Sequence, residues 1–142
     1  MIELHKLNDK DCIKANIAKD DLYINLLGVD SLEGFTPDLL TTNYLLITNN
    51  LVPLGIFILR DFTSNCLSFH VGIYKKHRGD TKKLVKICLD KIRNDLHCVF
   101  IATIPEHNTI ASHIIKQLGF ILISRIKNGS RSGDDILLYG ED

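Results

Sequence analysis

Apolar and polar residues alternate at the start of the chain, Ile2 and Leu4 against Glu3 and His5, which predicts a short first strand. Asn8 or Asp9 then offers a cap for a helix that carries Ile13 and Ile17 on one face, and residues 20–27 predict a second short helix. Gly28, Gly34, Pro37 and the pair Thr41-Thr42 break any period across residues 28–42, a stretch expected to form a mobile lid. Residues 44–48 and the apolar run 54–59 predict two strands joined by a tight turn at Asn49-Asn50, because asparagine tolerates a positive φ. A polar turn is expected at 61–65. Beyond it Phe69, Val71 and Ile73 alternate with Ser68, His70, Gly72 and Tyr74, predicting a third strand in an antiparallel meander.

After Arg78-Gly79-Asp80 the period changes. Leu84, Ile87, Cys88 and Ile92 recur three and four apart, predicting an amphipathic helix to about Asn94. A strand over 98–104 follows, stopped by Pro105; Asn108 can cap a helix lined by Ile110, Ala111, Ile114, Ile115 and Leu118, and Gly119 ends it in the left-handed region. Residues 120–126 and 135–139 predict a closing strand pair around a flexible turn. The order is therefore β-α-α-β-β-β-α-β-α-β-β: an α/β protein with a mixed, mainly antiparallel sheet flanked by helices.

Composition narrows this picture. A chain of 142 residues with 45% hydrophobic content fits one domain, expected to span residues 1–142. Lys plus Arg and Asp plus Glu each number 17, so no net field draws the protein to nucleic acid or to an anionic membrane, and any electrostatic role is local. No secretion signal or membrane-spanning run is visible, so a cytoplasmic location is expected. Cys12, Cys66, Cys88 and Cys98 are widely spaced and read as free thiols, and neither they nor the six histidines show the spacing of a metal site.

The run from Lys75 through Arg78, Gly79, Asp80, Thr81, Lys82 and Lys83 is the most informative local feature, a basic turn between an apolar strand and an amphipathic helix. Free amides at a helix start bind phosphate oxygens, and Gly79 lets a ligand approach the backbone. Lys82 and Lys83 sit where the helix dipole disfavours cations, a conflict that an anion would relieve. The alternative is a solvated basic surface with Asp80 or Thr81 as an ordinary cap. Nucleic acid fits poorly, since Tyr74 is the single aromatic nearby.

Two segments resemble a known family. Ile73-Tyr74-Lys75-Lys76-His77-Arg78-Gly79 is similar to the first half of V-x-P-x-x-R-G-x-G-x-G/A, the strand-end pattern by which the GNAT superfamily of N-acetyltransferases holds the CoA pyrophosphate. Thr81 and Lys83 stand where that pattern has small residues. Asn108-x-x-Ala111 followed by Leu118-Gly119-Phe120 resembles the superfamily's N-x-x-A…L-G-F helix with matching spacing. The resemblance runs from about Cys66 to Ile126.

The resemblance implies a GNAT-like fold, acetyl-CoA as co-substrate and an amine-bearing acceptor. The acyl-CoA pantetheine would pair with the strand edge at Gly72 and Ile73, the Ile73 amide would polarise the thioester carbonyl, and residues 78–83 with Asn108 would hold the rest of the cofactor. The superfamily's frequent general acid is a tyrosine four residues before the glycine of L-G-F; Ile115 occupies that place. His70, on the same strand as Ile73, is the candidate base, with a hydrogen-bonded sheet histidine as the alternative, and Glu106 or His107 acting through water as another. The ordering of these motifs looks most like small tailed-bacteriophage proteins. That implies a second possibility, a non-catalytic module with a phage structural partner, located in the host cytoplasm or the virion.

Overall fold

The computed structural model describes residues 1–141. Its strands are β1 (Ile2–Lys6), β2 (Thr42–Asn49), β3 (Val52–Thr63), β4 (Cys66–Ile73), β5 (Val99–Pro105), β6 (Phe120–Ile126) and β7 (Ile136–Glu141). Its α-helices are α1 (Lys10–Ala18), α2 (Tyr23–Leu27), α3 (Thr81–Leu96) and α4 (Thr109–Gln117), with short 3-10 segments at Lys19–Asp21 and Lys75–Asp80. One seven-stranded sheet has the order β1-β2-β3-β4-β5-β7-β6. Every neighbouring pair is antiparallel except β4 and β5, which are parallel. The expected order of strands and helices is the one observed.

The sheet is covered on both faces because its inner strands are apolar on both. Phe57, Phe69, Ile73, Phe100, Ala102 and Ile104 face α3 and α4, whose Leu84, Val85, Cys88 and Ile115 complete one core. Phe69 stacks on Phe57 at 5.4 Å and meets Phe100 edge-on at 5.7 Å, an arrangement aromatic quadrupoles favour. Tyr44, Ile56, Ile58 and Tyr74 face the other way, against Ile13, Ile17, Leu22 and Leu26 of α1 and α2. Two glycines let these layers close up. A Cβ on Gly55 would stand 2.2 Å from the Gly72 carbonyl oxygen, and one on Gly72 would stand 3.0 Å from Leu26 Cδ1. Thus β3 presses on β4, and α2 on β4.

Local caps follow the residue chemistry. The Asp9 side chain accepts from the Cys12 amide at 2.9 Å, Asn108 Oδ1 accepts from the Ala111 amide at 3.2 Å, and Gly119 takes a φ of 93° to end α4. Four expectations shift. The β2–β3 turn is centred on Asn50 and Leu51, with φ of 50° and 70°, one residue later than expected. β3 continues through Arg60 and Asp61 to Thr63, because these polar residues extend the ladder with β4 beyond the helix-covered part. The second short helix is preceded by a kink in which Asp20 and Asp21 both have a φ of 55°. Finally, segment 28–41 is pinned rather than freestanding: Pro37 is buried, and Leu32, Phe35 and Leu39 pack on the α1/α2 core.

Candidate functional site

The parallel pair β4 and β5 is registered over three positions only, Cys66–Val99, Leu67–Phe100 and Ser68–Ile101, after which the strands diverge. Divergence leaves main-chain groups without a strand partner. Tyr74 N–H donates to Leu54 on the β3 side at 2.9 Å, so the antiparallel alternation turns the amides of Val71 and Ile73 toward the opening. A cleft of about 410 Å³ fills the V and is lined from both faces of the sheet. On the α1/α2 face stand Asp21, Leu22, Asn25, His70 and Gly72, joined by Thr103, whose neighbours Ala102 and Ile104 point to the opposite core. On the α3/α4 face stand Arg78, Thr81, Val85, Asn108, Ala111 and Ile115. A through-sheet cleft with few polar groups and unpaired amides has the character of a ligand site.

The basic turn adds positive charge at one mouth. Asp80 occupies the cap position of α3, yet its side chain accepts nothing from the helix, and no acid lies in the first turn. Thr81 Oγ1 donates instead to the Arg78 carbonyl at 2.7 Å. The Thr81 amide bonds to the same carbonyl, so α3 runs on from the 3-10 turn before it, and its first turn carries no acid of its own. Arg78 Nε donates to the Ile73 carbonyl at 3.3 Å, which aims the guanidinium along the strand end. Asn108 spends its Oδ1 on the α4 cap, so its contribution to the cleft is the Nδ2 donor.

Not all residues expected at the site converge there. Gly72, Ile73, Arg78, Thr81, Asn108 and His70 line the cleft; Gly79 and Lys82 are exposed and are not among its lining residues. Asp80 and Lys83 line a second, larger cavity of about 580 Å³ between α3 and the β2–β3 turn, floored by Ile2, Val52, Leu54, Leu84 and Ile87. None of its lining residues comes from β4 or β5, so it lies apart from the gap between those strands, and the V-shaped cleft is the better candidate for chemistry. Glu106 and His107 are engaged elsewhere: Glu106 pairs with Arg125, and His107 Nδ1 lies 2.8 Å from Asp134 Oδ2, anchoring the β6–β7 hairpin.

His70 is half-buried on the α2 side of the opening. Burial, then the charge of Arg60, pushes its pKa below the usual imidazole value, which favours the neutral form with a ring nitrogen open to accept a proton at pH 7. Ile115, at the tyrosine position of the resembled motif, is buried against the cleft and has no proton to give. Sequence reasoning missed Asp21, Asn25 and Thr103. The lone Gly55 inside an apolar strand was a readable sign that backbone packs closely beside β4.

Among the described residues no helix is long and apolar enough to cross a membrane, and no group of three or more His, Cys, Asp or Glu is placed to hold a metal ion.

No protein-family model and no curated protein matches the chain. Solved structures do match it. Spermidine N-acetyltransferase from Vibrio cholerae, in complex with CoA and spermine, superposes with a TM-score of 0.74 at 15% identity, over 98% of this chain and 94% of that one. The Campylobacter jejuni N-acetyltransferase PseH, in complex with acetyl coenzyme A, gives 0.68 at 17% identity, over 99% and 97%. A dodecameric form of the V. cholerae enzyme gives 0.72 at 12% identity, over 98% and 92%. The architecture is that of the GNAT-fold N-acetyltransferases. The likeness spans nearly the whole chain, including the first 65 residues, where no motif resembles the family.

Proposed function

We propose that this protein is an acyl-CoA-dependent N-acyltransferase that moves an acetyl group from acetyl-CoA to an amine. The observation that carries the proposal is the V-shaped opening, where the Val71 and Ile73 amides face a cleft with Arg78 and Thr81, at the start of α3, lining one side. An extended, amide-bearing thiol ester with an anionic tail suits that arrangement. Its amides pair with the free strand edge, and its phosphates meet the cation and the helix dipole. The similar V. cholerae and C. jejuni structures are N-acetyltransferases seen with CoA or acetyl coenzyme A, which supports the same donor here.

In this reading the acceptor nitrogen attacks the thioester carbonyl carbon. The Ile73 amide stabilises charge on the carbonyl oxygen, the C–S bond breaks, and CoA leaves as a thiolate. His70, neutral in the fold, takes the proton released from nitrogen. With Ile115 in place of an acid, the thiolate is protonated by the imidazolium or by water. A thiol pKa near ~8.5 makes a dedicated acid a modest advantage.

Isothermal titration with acetyl-CoA tests the donor. Binding is expected in the parent protein, weakened on the order of tenfold in Arg78→Ala and further by added salt; absence of binding heat in the parent overturns the proposal. Ile115 also motivates a second reading, a non-catalytic binding module of phage origin acting within the host cytoplasm or the virion. Acetyl transfer lost in His70→Ala would exclude it.

A further inference from the structure

The sheet is covered unequally on the face that carries α1 and α2. The core under those helices draws on Tyr44, Ile56, Ile58 and Tyr74, and no residue of β5, β6 or β7 belongs to it. Among the described residues no helix packs on that face of β5, β7 and β6.

Register shows what this uncovered surface presents. Successive residues of a strand point to opposite faces, and directly opposed residues of antiparallel neighbours point to the same one. Leu137 and Tyr139 belong to the core under α3 and α4, so Ile136, Leu138 and Gly140 turn away from it. Their partners turn with them: Ile101 and Ile121 beside Gly140, Thr103 beside Leu138, and Ile126 beside Ile136. The register shift between Leu122 and Ser124 leaves Ile123 over, and its side chain folds down on Gly140, where a Cβ would stand 2.2 Å from Ile123 Cδ1. The charges of these strands lie on the other face. Arg125 stands opposite Leu137 and pairs with Glu106 and Asp135, and Glu141 pairs with Arg93 of α3.

The result is a flat aliphatic surface without a formal charge. Ile121, Ile123, Ile126 and, at its β5 edge, Val99 are each about half exposed. With the partly exposed Ile136 and Leu138 between them they present on the order of 500 Å² of contiguous apolar area, a size that marks an interaction site rather than the scattered apolar groups of any monomer.

We propose that this surface binds its counterpart on a second copy of the chain, sheet against sheet across a two-fold axis. Two such surfaces would together remove on the order of 1,000 Å² from water, which is enough for a specific but reversible dimer. A two-fold axis sets each group near its own like, an arrangement that charge would oppose and that this uncharged surface permits. Aliphatic side chains from two facing sheets then interdigitate as they do inside a sandwich. The cleft favours the same occupant. Asp21, Leu22 and Asn25 wall its opening on the α2 side, whereas on the β5 side Thr103 belongs to the uncovered surface itself. A second copy would supply the missing wall. That consequence concerns the acceptor side of the proposed N-acyltransferase; the dimer does not depend on it.

Sedimentation velocity from about 1 to about 100 µM tests the proposal. The parent is expected to pass from monomer to dimer within that range. Ile123→Lys puts a cation in the surface and should weaken the dimer on the order of a hundredfold. Leu122→Lys is the control: Leu122 is similarly exposed but stands opposite Tyr139, on the α4 side, so the dimer should persist. The same control separates this surface from pairing along the free edge of β6, which would not prefer one side of the strand. Circular dichroism and urea titration check that each variant folds, and Ile126→Lys repeats the test from another row of the surface should Ile123→Lys fail to fold. A parent that stays monomeric at the highest concentration overturns the inference. So does a dimer that survives both Ile123→Lys and Ile126→Lys, or one that Leu122→Lys dissociates equally. Acetyl-CoA titration reads none of these outcomes, so the dimer and the acyltransferase reading stand or fall separately.

Discussion

The Tyr74 hydroxyl donates to the main-chain carbonyl of Asn16 at 2.8 Å, so the residue that follows β4 supplies a donor to the last turn of α1, where carbonyls run short of partners within the helix. Burial, with the neighbouring charge of Asp20, pushes the phenol up to about 12, which keeps it a donor throughout the usual pH range. Tyr74→Phe retains the ring and deletes only the bond. Its expected cost is about 1 kcal/mol, read as a lower denaturation midpoint in urea at unchanged slope.

Gly55 and Gly79 should respond to alanine in opposite ways. At Gly55 the new methyl would meet the Gly72 carbonyl oxygen at 2.2 Å, and backbone cannot swing aside as a side-chain end can. Gly55→Ala is expected to cost roughly 2–3 kcal/mol or to prevent folding. At Gly79 the methyl meets nothing within 4 Å. Gly79→Ala should leave the melting temperature in place and weaken acetyl-CoA binding, because the methyl intrudes where phosphates would approach the start of α3.

His70 gives the protein a pH dependence of defined sign. Its pKa is lowered in the fold by burial and by Arg60, so below about 6.5 the unfolded chain takes up a proton that the folded chain resists. The contribution of His70 to stability is therefore complete above the unfolded value and is lost as pH falls from there toward the folded one. Urea titrations at pH 7 and pH 5 should show this loss in the parent and a smaller one in His70→Gln. If His70 is the base, kcat/KM falls over the same acid range.

The four thiols should separate by reactivity in the native protein. Cys12 is exposed on α1, whereas Cys88 is buried in the α3 core with its thiol pushed up to about 12 by burial, and Cys98 is buried with a raised value. Thiolate is the reactive species, so maleimide should modify Cys12 first and Cys88 only after unfolding. Mass spectrometry of the labelled peptides over time measures the order.

The sequence made the sequence of elements legible because the hydrophobic period changes sharply at Arg78 and again at Pro105, each marking a strand end and a helix start. Helix α1 was readable from Ile13 and Ile17, and α4 from Asn108 and Gly119. Boundaries set by tertiary pairing were not. The ladder to β4 carries β3 through Arg60 and Asp61, which locally resemble a turn, and Leu51 accepts a positive φ that its branched side chain would not suggest. At the site, His70, Ile73 and Arg78 were accessible because one strand and its following turn bring them together. Asp21 and Thr103 were hidden, since they reach the cleft from elements some 50 residues before and 30 after His70, and neither belongs to a periodic pattern.

The short parallel register between β4 and β5 has a further consequence. It makes the molecule two antiparallel half-sheets, one ending at Ile73 and the other beginning at Val99, joined by three rungs and the helix between them. A ligand lying in the V would touch both halves above the point where they stop touching each other. It would then act as mortar as well as substrate: by mass action, every increment of occupancy resists the parting of the halves, at about 2.7 kcal/mol when the ligand stands at a hundred times its dissociation constant. The supply of donor would thus govern how firmly the protein holds together.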